Sequence, residues 1–312
     1  MNVDVAINVY GKPFQTAVAL LSLLRHSGEH VGKVYFIQEP KQPGDIDFRF
    51  IHGLLSDKII VHTPKYWHSC DRTLPEKLED DEYRRSLRYQ YAWEESSADY
   101  LFVTHNDVFY KSDIIGEFLG GIDDNAAIGQ IGQCWNCPAS LAGLCDGERY
   151  WDFRPTIGEL EELYEKHPTG RWNIAEARDD MNPWPLPECR VNEWTALINL
   201  KIARPETIPF GDALPFGSMT LDIGTGWFRQ MSYKGYKFAN HPLAPFAFHG
   251  WTTGGGGGHQ ALFEYAKYEH GEQAARAVLI NEFGIDPATL ADASGGRWRT
   301  RLRTFMRGKL GR

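Results

Sequence analysis

The chain has 312 residues, of which 42% are hydrophobic, 24% charged and 13% aromatic, a composition that excludes disordered, collagenous and fibrous proteins. The net charge of −8 is unevenly distributed, because residues 297–312 contain seven Lys and Arg and no acidic residue. Subtracting those seven leaves −15 for residues 1–296, and so acidic a body argues against nucleic acid as a partner.

The N-terminal part of the chain alternates between predicted strands and helices. Residues 3–10 have high β-propensity, apolar residues then recur at helical spacing over 17–24, and residues 100–104 form the clearest buried strand. This alternation is typical of right-handed βαβ units and predicts a mostly parallel sheet. The other elements predicted up to residue 133 are strands over 34–38, 58–62 and 126–133 and helices over 82–97 and 112–119, the last capped by Ser112.

The second half of the chain is less regular. Residues 134–215 contain one well-marked helix, before which Thr156 and Glu159 form a capping box. The later predicted elements are strands over 195–200, 237–239 and 247–249 and helices over 222–235 and 259–283, the last interrupted at Gly271.

The strand at 100–104 ends in a polar triplet, His105-Asn106-Asp107. A helix-to-strand stretch over 88–103 leads into it, and Leu221-Asp222-Ile223 followed by a segment over 227–238 comes later. In this order, the three landmarks resemble the DXD region, the acidic motif and the Gly-Tyr-Lys strand entry of GT-A-type nucleotide-sugar glycosyltransferases, the family-two-like members in particular.

The resemblance implies an α/β fold with a GT-A-like (Rossmann-like), mostly parallel sheet flanked by helices. The resemblance covers roughly residues 3–250. With the charge distribution, it divides the chain into a glycosyltransferase domain over 1–296, with a variable acceptor-side region over 134–215, and a basic tail over 297–312. The resemblance also implies a nucleotide-sugar donor and a hexosyltransferase-like, inverting transfer to a hydroxyl of a glycan or glycolipid, as in polysaccharide biosynthesis.

The triplet predicts a metal site. The last Asp of the family motif binds a divalent ion, and that role passes to Asp107, a strand-end carboxylate suited to Mn²⁺ or Mg²⁺. The first position is His105 instead of Asp; it offers an imidazole to a metal or to the donor, and no carboxylate. His249 matches the C-terminal histidine ligand of some members. The alternatives are an Asp that begins a turn and a His bonded to backbone.

Two carboxylates are candidates for the base that an inverting transfer requires. Asp222 lies at the position of the family's acidic motif, just before a predicted helix, where an N-cap is the alternative role. Glu193 is the competing carboxylate, with a solvated position at a strand entry as its alternative.

Other residues are candidates for binding the donor. The resemblance places the nucleobase at the end of the first strand, Val9 and Tyr10, although Tyr10 is equally compatible with the core. Glu39, after the second strand, is a candidate for the base or ribose, and Asn106 and His105 for the donor beside Asp107. Arg88 is the cation that would face the donor phosphates, with a solvated helix charge as the alternative.

Four cysteines in the irregular middle region predict a structural Zn²⁺ site. Cys134 and Cys137 have the CxxC spacing of a metal ligand pair, and Cys145 and Cys189 would complete a tetrahedron. The alternative is a set of unligated buried thiols.

Two features near the C-terminus suggest interactions outside the domain. The five glycines at 254–258 are either a lid over the donor or a linker. In 297–312, apolar residues recur on one helical face with basic residues largely on the other, which predicts binding to an anionic membrane surface, or else a solvated tail.

Localisation and the rival functions complete the sequence-based hypothesis. The lack of an apolar run long enough to span a bilayer and of a secretory signal, with an odd number of cysteines, predicts a cytoplasmic protein. The basic tail would make it peripheral to the inner face of the membrane. The rivals are a sugar-phosphate nucleotidyltransferase, whose glycine-rich phosphate loop Gly11-Lys12-Pro13 does not resemble, and a non-catalytic carbohydrate-binding or scaffold protein on the same fold.

Overall fold

The structure is a computed structural model that describes residues 2–68, 71–169, 182–252 and 264–291. Its strands are β1 (Val3–Val9), β2 (Val31–Gln38), β3 (Ile59–His62), β4 (Tyr100–Thr104), β5 (Val108–Tyr110), β6 (Ala127–Ile131), β7 (Val191–Asn199), β8 (Phe238–Asn240) and β9 (Ala247–His249). Its helices are α1 (Pro13–Ser27), α2 (Arg49–Leu54), α3 (Asp81–Arg85), α4 (Gln90–Glu95), α5 (Ile114–Gly121), α6 (Pro138–Leu141), α7 (Ile157–Lys166), α8 (Leu200–Ala203), α9 (Thr225–Tyr233), α10 (Tyr265–Phe283) and α11 (Pro287–Ala291).

The described residues fall into two compact units. The first takes in the described residues of Met1–Trp67, Phe102–Glu117 and Leu243–Arg312, and the second those of His68–Leu101 and Phe118–Pro242. Seven strands form a mostly parallel sheet with flanking helices; the neighbouring strands β3, β2 and β1 lie in the first unit, and the neighbouring strands β7, β6 and β8 in the second. The predicted α/β fold class is therefore confirmed.

The first unit is built on a parallel βαβ core. Strands β1, β2 and β3 pair in parallel, with Ile7 opposite Phe36 and Phe36 opposite Val61. Helix α1 begins at Pro13, whose fixed φ suits the first helical position, and it is buried over almost its whole length, in contact with β5 and α10. The carboxyl ends of β1 and β4 consequently open at the same edge of this unit, where ligands of α/β sheets bind.

The second unit has an aromatic core and one antiparallel strand. Strand β7 runs antiparallel to β6, and β8 runs parallel to β6. Trp93 and Trp227 are fully buried and meet edge to face at 5.9 Å, and Phe216 stacks on Trp93. Such ring pairs add about 1 kcal/mol each beyond their buried area, so this cluster fixes the helices of the unit on its strands.

Most of the predicted elements are present, but one helix is not continuous. Strand 100–104 and the capping box at Thr156 and Glu159 are confirmed. The helix predicted over 82–97 is wrong: it is two short helices, α3 and α4, because Tyr89 between them has a left-handed φ of 64° that no helix accommodates.

Smaller corrections concern helix ends. Helix α5 starts at Ile114, and Asp113 rather than Ser112 accepts the backbone N–H of Gly116 at its start. Helix α9 starts at Thr225, three residues after its predicted start. Helix α10 runs uninterrupted through Gly271, where a side chain would meet the Thr252 hydroxyl at 2.8 Å.

Within the described ranges, no helix combines the length and the apolar character needed to cross a membrane.

Candidate functional site

A short strand pair in the first unit brings the triplet and His249 together. Strand β5 begins one residue after Asp107 and pairs antiparallel with β9, with Val108 opposite His249. The backbone N–H of Gly250 donates to the carbonyl of Asp107 at 2.9 Å. The sequence separates these residues by more than 140 positions, and this pairing makes them neighbours.

His105, Asp107 and His249 form a cluster with the geometry of a metal site. The Nε2 atom of His249 lies 3.3 Å from Asp107 Oδ1 and 3.3 Å from His105 Nδ1. One ligand atom from each residue lies within 4.8 Å of the other two. The predicted combination of these three residues is thus present at the carboxyl end of β4.

The donor set fits a divalent transition ion. Two imidazole nitrogens and one carboxylate oxygen favour transition ions, Mn²⁺ among them, over Mg²⁺, which prefers oxygen ligands throughout. The side chain of Asp107 is 4% exposed and that of His249 is 24% exposed, so the carboxylate is held inside while one imidazole stays accessible from solvent. An ion bound there would be anchored by the protein on one side and open on the other.

Sequence reasoning missed the residue that contacts Asp107 most closely, Lys12. Its Nζ atom lies 2.7 Å from Asp107 Oδ2, and both side chains are buried, at 8% and 4% exposure. Lys12 follows β1 with a left-handed φ of 55°, directly after Gly11 with a φ of 62°, and this turn directs the side chain inward. The sequence feature that could have indicated this role is a lysine shortly after the carboxyl end of a buried strand.

The electrostatics of the cluster keep Asp107 ionised. Burial by itself raises the pKa of a carboxyl, but the ammonium of Lys12 and the hydrogen bond from His249 outweigh it, with a smaller contribution from His105. The pKa of Asp107 is therefore held well below its usual range. The carboxylate is charged, and thus able to bind a cation, at any pH at which the protein would work.

Asn106, the middle residue of the triplet, supports the turn that carries Lys12. Its Nδ2 atom donates to the carbonyl of Gly11 at 3.2 Å and to the hydroxyl of Thr16 at 3.3 Å. The side chain is 9% exposed. These contacts give Asn106 a positioning role for the turn after β1, and its predicted contact with a donor stays a prediction.

The predicted nucleoside-binding residues lie at the ends of β1 and β2. Glu39, which is 9% exposed, accepts a hydrogen bond from Asn8 Nδ2 at 3.0 Å, and its own N–H donates to the carbonyl of Val9. The ring of Tyr10 stacks on Trp67 with 5.9 Å between ring centroids. Tyr10 is thus a half-buried aromatic at the strand end, with its stacking partner supplied by the chain itself.

A buried carboxylate from α10 occupies the N-terminus of α1, which the sequence also did not indicate. Glu272 accepts the backbone N–H of Phe14 at 2.8 Å and of Gln15 at 3.2 Å. Burial raises its pKa from 4.5 to about 6, although those two N–H groups partly oppose the shift. The hydroxyl of Tyr268, one turn earlier, accepts the N–H of Lys12 at 3.3 Å. Helix α10 therefore braces the turn beside Asp107.

In the second unit, the two predicted base candidates are joined by one guanidinium. Arg190 Nη1 lies 3.1 Å from Glu193 Oε2 and 3.0 Å from Asp222 Oδ1. Gln133 Nε2 donates to Asp222 Oδ2 at 3.0 Å. The alternative role of Asp222 as an N-cap is wrong, because Gly224 occupies that position of α9. Arg190, which no motif indicated, holds the two carboxylates together.

Arg88 also lies in the second unit, in the break between α3 and α4. It is half-buried, and its backbone packs so closely on Gly217 that a side chain at that glycine would meet the Arg88 carbonyl at 1.8 Å. The predicted setting of Arg88 on a continuous helix is therefore wrong. Its predicted contact with donor phosphates stays a prediction.

The four cysteines of the middle region gather around one cavity. Cys137, Cys145 and Cys189 are buried and Cys134 is half-buried, and none of the four forms a disulfide.

The glycine run at 254–258 and the basic tail over 297–312 lie outside the described residues, and with them the predicted lid and membrane helix.

Comparisons with known proteins find similar structures but no similar sequences. No family model matches the chain, and no curated protein sequence matches it. The chain is similar to the apo form of mouse xyloside xylosyltransferase 1, at 14% identity over 78% of this chain and 86% of that one, with a TM-score of 0.42. It is also similar to a mannosyltransferase from Pyrobaculum calidifontis in complex with GDP-Man and Mn²⁺, at 11% identity over 99% and 84%, with a TM-score of 0.43.

A third similar structure is the galactosyltransferase LgtC in complex with donor and acceptor sugar analogues. The identity is 12% over 77% of this chain and 73% of that one, with a TM-score of 0.40. All three are glycosyltransferases by name, as is the family that the triplet resembles. At this degree of similarity, the chemistry of the site rests on its own residues.

Proposed function

We propose that the protein is a glycosyltransferase that moves a sugar from a nucleoside diphosphate sugar to a hydroxyl of a glycan or glycolipid. The observation that carries the proposal is the convergence of His105, Asp107, His249 and Lys12 at the carboxyl ends of β1 and β4. Breaking the bond between sugar and diphosphate leaves about one further negative charge on the nucleotide, and positive charge at that place stabilises the transition state.

The metal role falls to three of these residues. His105, Asp107 and His249 would hold Mn²⁺ in preference to Mg²⁺, because two of the three ligands are imidazoles. A bound divalent ion supplies Lewis-acid stabilisation of the leaving diphosphate. The ionised state of Asp107 is secured by Lys12, so the site needs no proton release from the carboxyl to accept a cation.

Lys12 contributes charge of its own. Its ammonium is buried against Asp107 and follows the strand end at which a diphosphate would lie. A lysine acts toward phosphate as a point charge, so it can attract the diphosphate while the metal ligands hold the ion. Asn106 keeps the turn of Gly11 and Lys12 in place, which fixes the starting position of that charge.

The nucleoside end of the donor is assigned to the ends of β1 and β2. Glu39 offers a carboxylate to the N–H groups of a base or to a ribose hydroxyl, and Asn8 orients it. Val9 marks the strand end, where its carbonyl accepts the N–H of Glu39 and so holds that residue in place, and Tyr10 offers an aromatic face. Selectivity among nucleobases would therefore depend on Glu39.

The acceptor side is assigned to the second unit. We give Asp222 the role of general base in an inverting transfer, with Glu193 as the competing carboxylate. Arg190 and Gln133 both contact Asp222, so they fix its carboxylate in one orientation. Arg88 is retained as a cation for the donor phosphates.

The basic tail over 297–312 is assigned to an anionic membrane surface. Each basic residue near such a surface contributes about 1 kcal/mol, so seven are enough to hold an acidic protein there. Binding to phosphatidylglycerol vesicles, lost when the tail is removed and absent with phosphatidylcholine vesicles, is the expected result. Equal binding to both lipids would contradict this assignment.

The test of the proposed function is a donor screen. The protein is incubated with Mn²⁺ and one UDP-, GDP-, ADP- or dTDP-sugar at a time, with and without simple glycosides, and released nucleoside diphosphate is measured. One donor is expected to be consumed, and consumption should be lost in H249A and kept in H270A, in which an exposed histidine of α10 is removed. Release of pyrophosphate from a sugar phosphate and a nucleoside triphosphate would support the rival nucleotidyltransferase, and no turnover of any donor would support a scaffold.

A further inference from the structure

The second unit contains a cluster of metal-binding side chains that the proposed transfer reaction does not use. Cys134, Cys137, Cys145 and Cys189, here called the thiol cluster, all line one cavity. None forms a disulfide. Thiols that converge from several segments of chain without pairing are the ligand set of a closed, structural metal site.

The fold brings the cluster together from opposite sides of a strand pair. Past the end of β6, the N–H of Gln133 donates to the carbonyl of Glu188 at 3.0 Å, which continues the pairing of β6 and β7. This bond places Cys134 beside Cys189, although 54 intervening residues separate them in sequence. The thiol cluster therefore joins the two ends of the long segment between Cys134 and Cys189.

The CxxC pair has a local geometry suited to metal binding. Cys134 begins a 3₁₀ turn, and the N–H of Cys137 donates to the Cys134 carbonyl at 3.3 Å. Cys137 then immediately precedes α6, so the two cysteines are joined by one short turn. This spacing is that of a metal ligand pair.

The electrostatics of the cavity favour a cation. Glu188, a carboxylate that is 2% exposed and accepts the Tyr164 hydroxyl at 2.8 Å, lines the same cavity. A divalent cation bound there would be surrounded by groups that can carry negative charge, because a thiol that coordinates a metal is deprotonated outright.

We propose that the thiol cluster binds one structural Zn²⁺ ion. No three of the four sulfur atoms lie within 4.8 Å of one another in the described part of the chain. Binding of the ion would therefore draw the sulfurs closer together. The segment between Cys134 and Tyr150 has only a 3₁₀ turn and the four-residue helix α6 as regular structure. Bonds between its cysteines and a metal ion would therefore contribute much of its stability.

The test is metal analysis of the purified full chain. We expect about one zinc per chain, retained after dialysis against weak chelator and lost with a thiol-specific mercurial. Replacement by Co²⁺ should give intense visible bands and a sulfur-to-metal charge-transfer band, which tetrahedral thiolate sites produce. C137S and C189S should lose the zinc, whereas D107N and H249A should keep it, which separates this site from the proposed catalytic metal.

Four outcomes would overturn the proposal. The first is a purified protein that contains no zinc and whose four thiols all react with a thiol reagent in the native state. The second is iron in place of zinc, and the third is a disulfide within the thiol cluster. The fourth is zinc that is retained in C189S but lost in H249A. The metal content of the wild-type chain decides the matter even where a cysteine variant fails to fold. None of these results depends on a glycosyltransferase activity.

Discussion

Lys12 Nζ lies 2.7 Å from Asp107 Oδ2, and neither side chain is more than 8% exposed. The carboxylate that is proposed to hold a divalent ion therefore already has an internal counter-ion. A metal ion bound to the same carboxylate would be close to the ammonium of Lys12, and the two positive charges repel each other. Lys12 and the metal therefore compete for Asp107 unless an anionic diphosphate neutralises them both. This relationship makes metal binding and donor binding interdependent.

The first prediction concerns that competition. In the absence of nucleotide, K12M should bind Mn²⁺ about tenfold more tightly than the wild type, because a competing positive charge has been removed, and a tenfold change corresponds to about 1.4 kcal/mol. Electron paramagnetic resonance of free Mn²⁺ measures the affinity. K33M, which removes an exposed lysine, is the matched control and should bind as the wild type does. Weaker Mn²⁺ binding by K12M would refute the competition.

The second prediction concerns stability. D107N leaves the buried ammonium of Lys12 without its counter-ion, and K12M leaves the carboxylate without its own, so each should lower the free energy of unfolding by about 3 kcal/mol. The double variant K12M/D107N should lose much less than the two single losses together. Urea denaturation of the four proteins measures this coupling. Strictly additive losses would show that the ion pair contributes nothing.

The third prediction concerns the choice of metal. Two imidazoles should make the wild type bind Mn²⁺ or Co²⁺ far better than Mg²⁺. H105D exchanges one imidazole for a carboxylate, so it should narrow the preference and allow Mg²⁺ to support activity. Titration calorimetry with each ion on both proteins checks the shift. An unchanged ratio of affinities in H105D would remove His105 from the set of ligands.

The fourth prediction uses Glu272, whose pKa burial raises from 4.5 to about 6. Between these values the folded state keeps a proton that the unfolded state releases, so stability falls as pH rises across the interval, by about 2 kcal/mol. The wild type should show this loss relative to E272Q, in which nothing titrates at the position. E269Q, an exposed neighbour on α10, is the control. Parallel stability curves for wild type and E272Q from pH 4 to 7 would contradict the assignment.

The sequence was sufficient for the elements whose signals are local. The buried strand at 100–104 and the capping box of Thr156 and Glu159 follow from hydrophobicity and from one side-chain pattern. The metal candidates were also predictable, since His105 and Asp107 are two positions apart in one triplet and His249 matches the histidine ligand of the family that the triplet resembles. These predictions depend on short stretches of chain or on a motif.

The remainder depends on contacts that no local pattern encodes. Tyr89 adopts a left-handed conformation inside a stretch of good helix formers, because packing of the aromatic core overrides propensity there. Lys12 meets Asp107 only because β1 and β4 end at the same edge, and Glu272 reaches the N-terminus of α1 only because α1 and α10 pack side by side. Arg190 meets both Glu193 and Asp222 through the tertiary fold alone.

The central claim is that the cluster around Asp107 binds a divalent ion together with a nucleoside diphosphate. The most direct measurement is the thermal stability of the wild type and H249A with UDP, GDP, ADP or dTDP, each with and without Mn²⁺. One nucleotide should raise the melting temperature of the wild type only when Mn²⁺ is present, and H249A should lose that increase. If no nucleoside diphosphate stabilises the wild type with any divalent ion, or if H249A responds as the wild type does, the claim is contradicted.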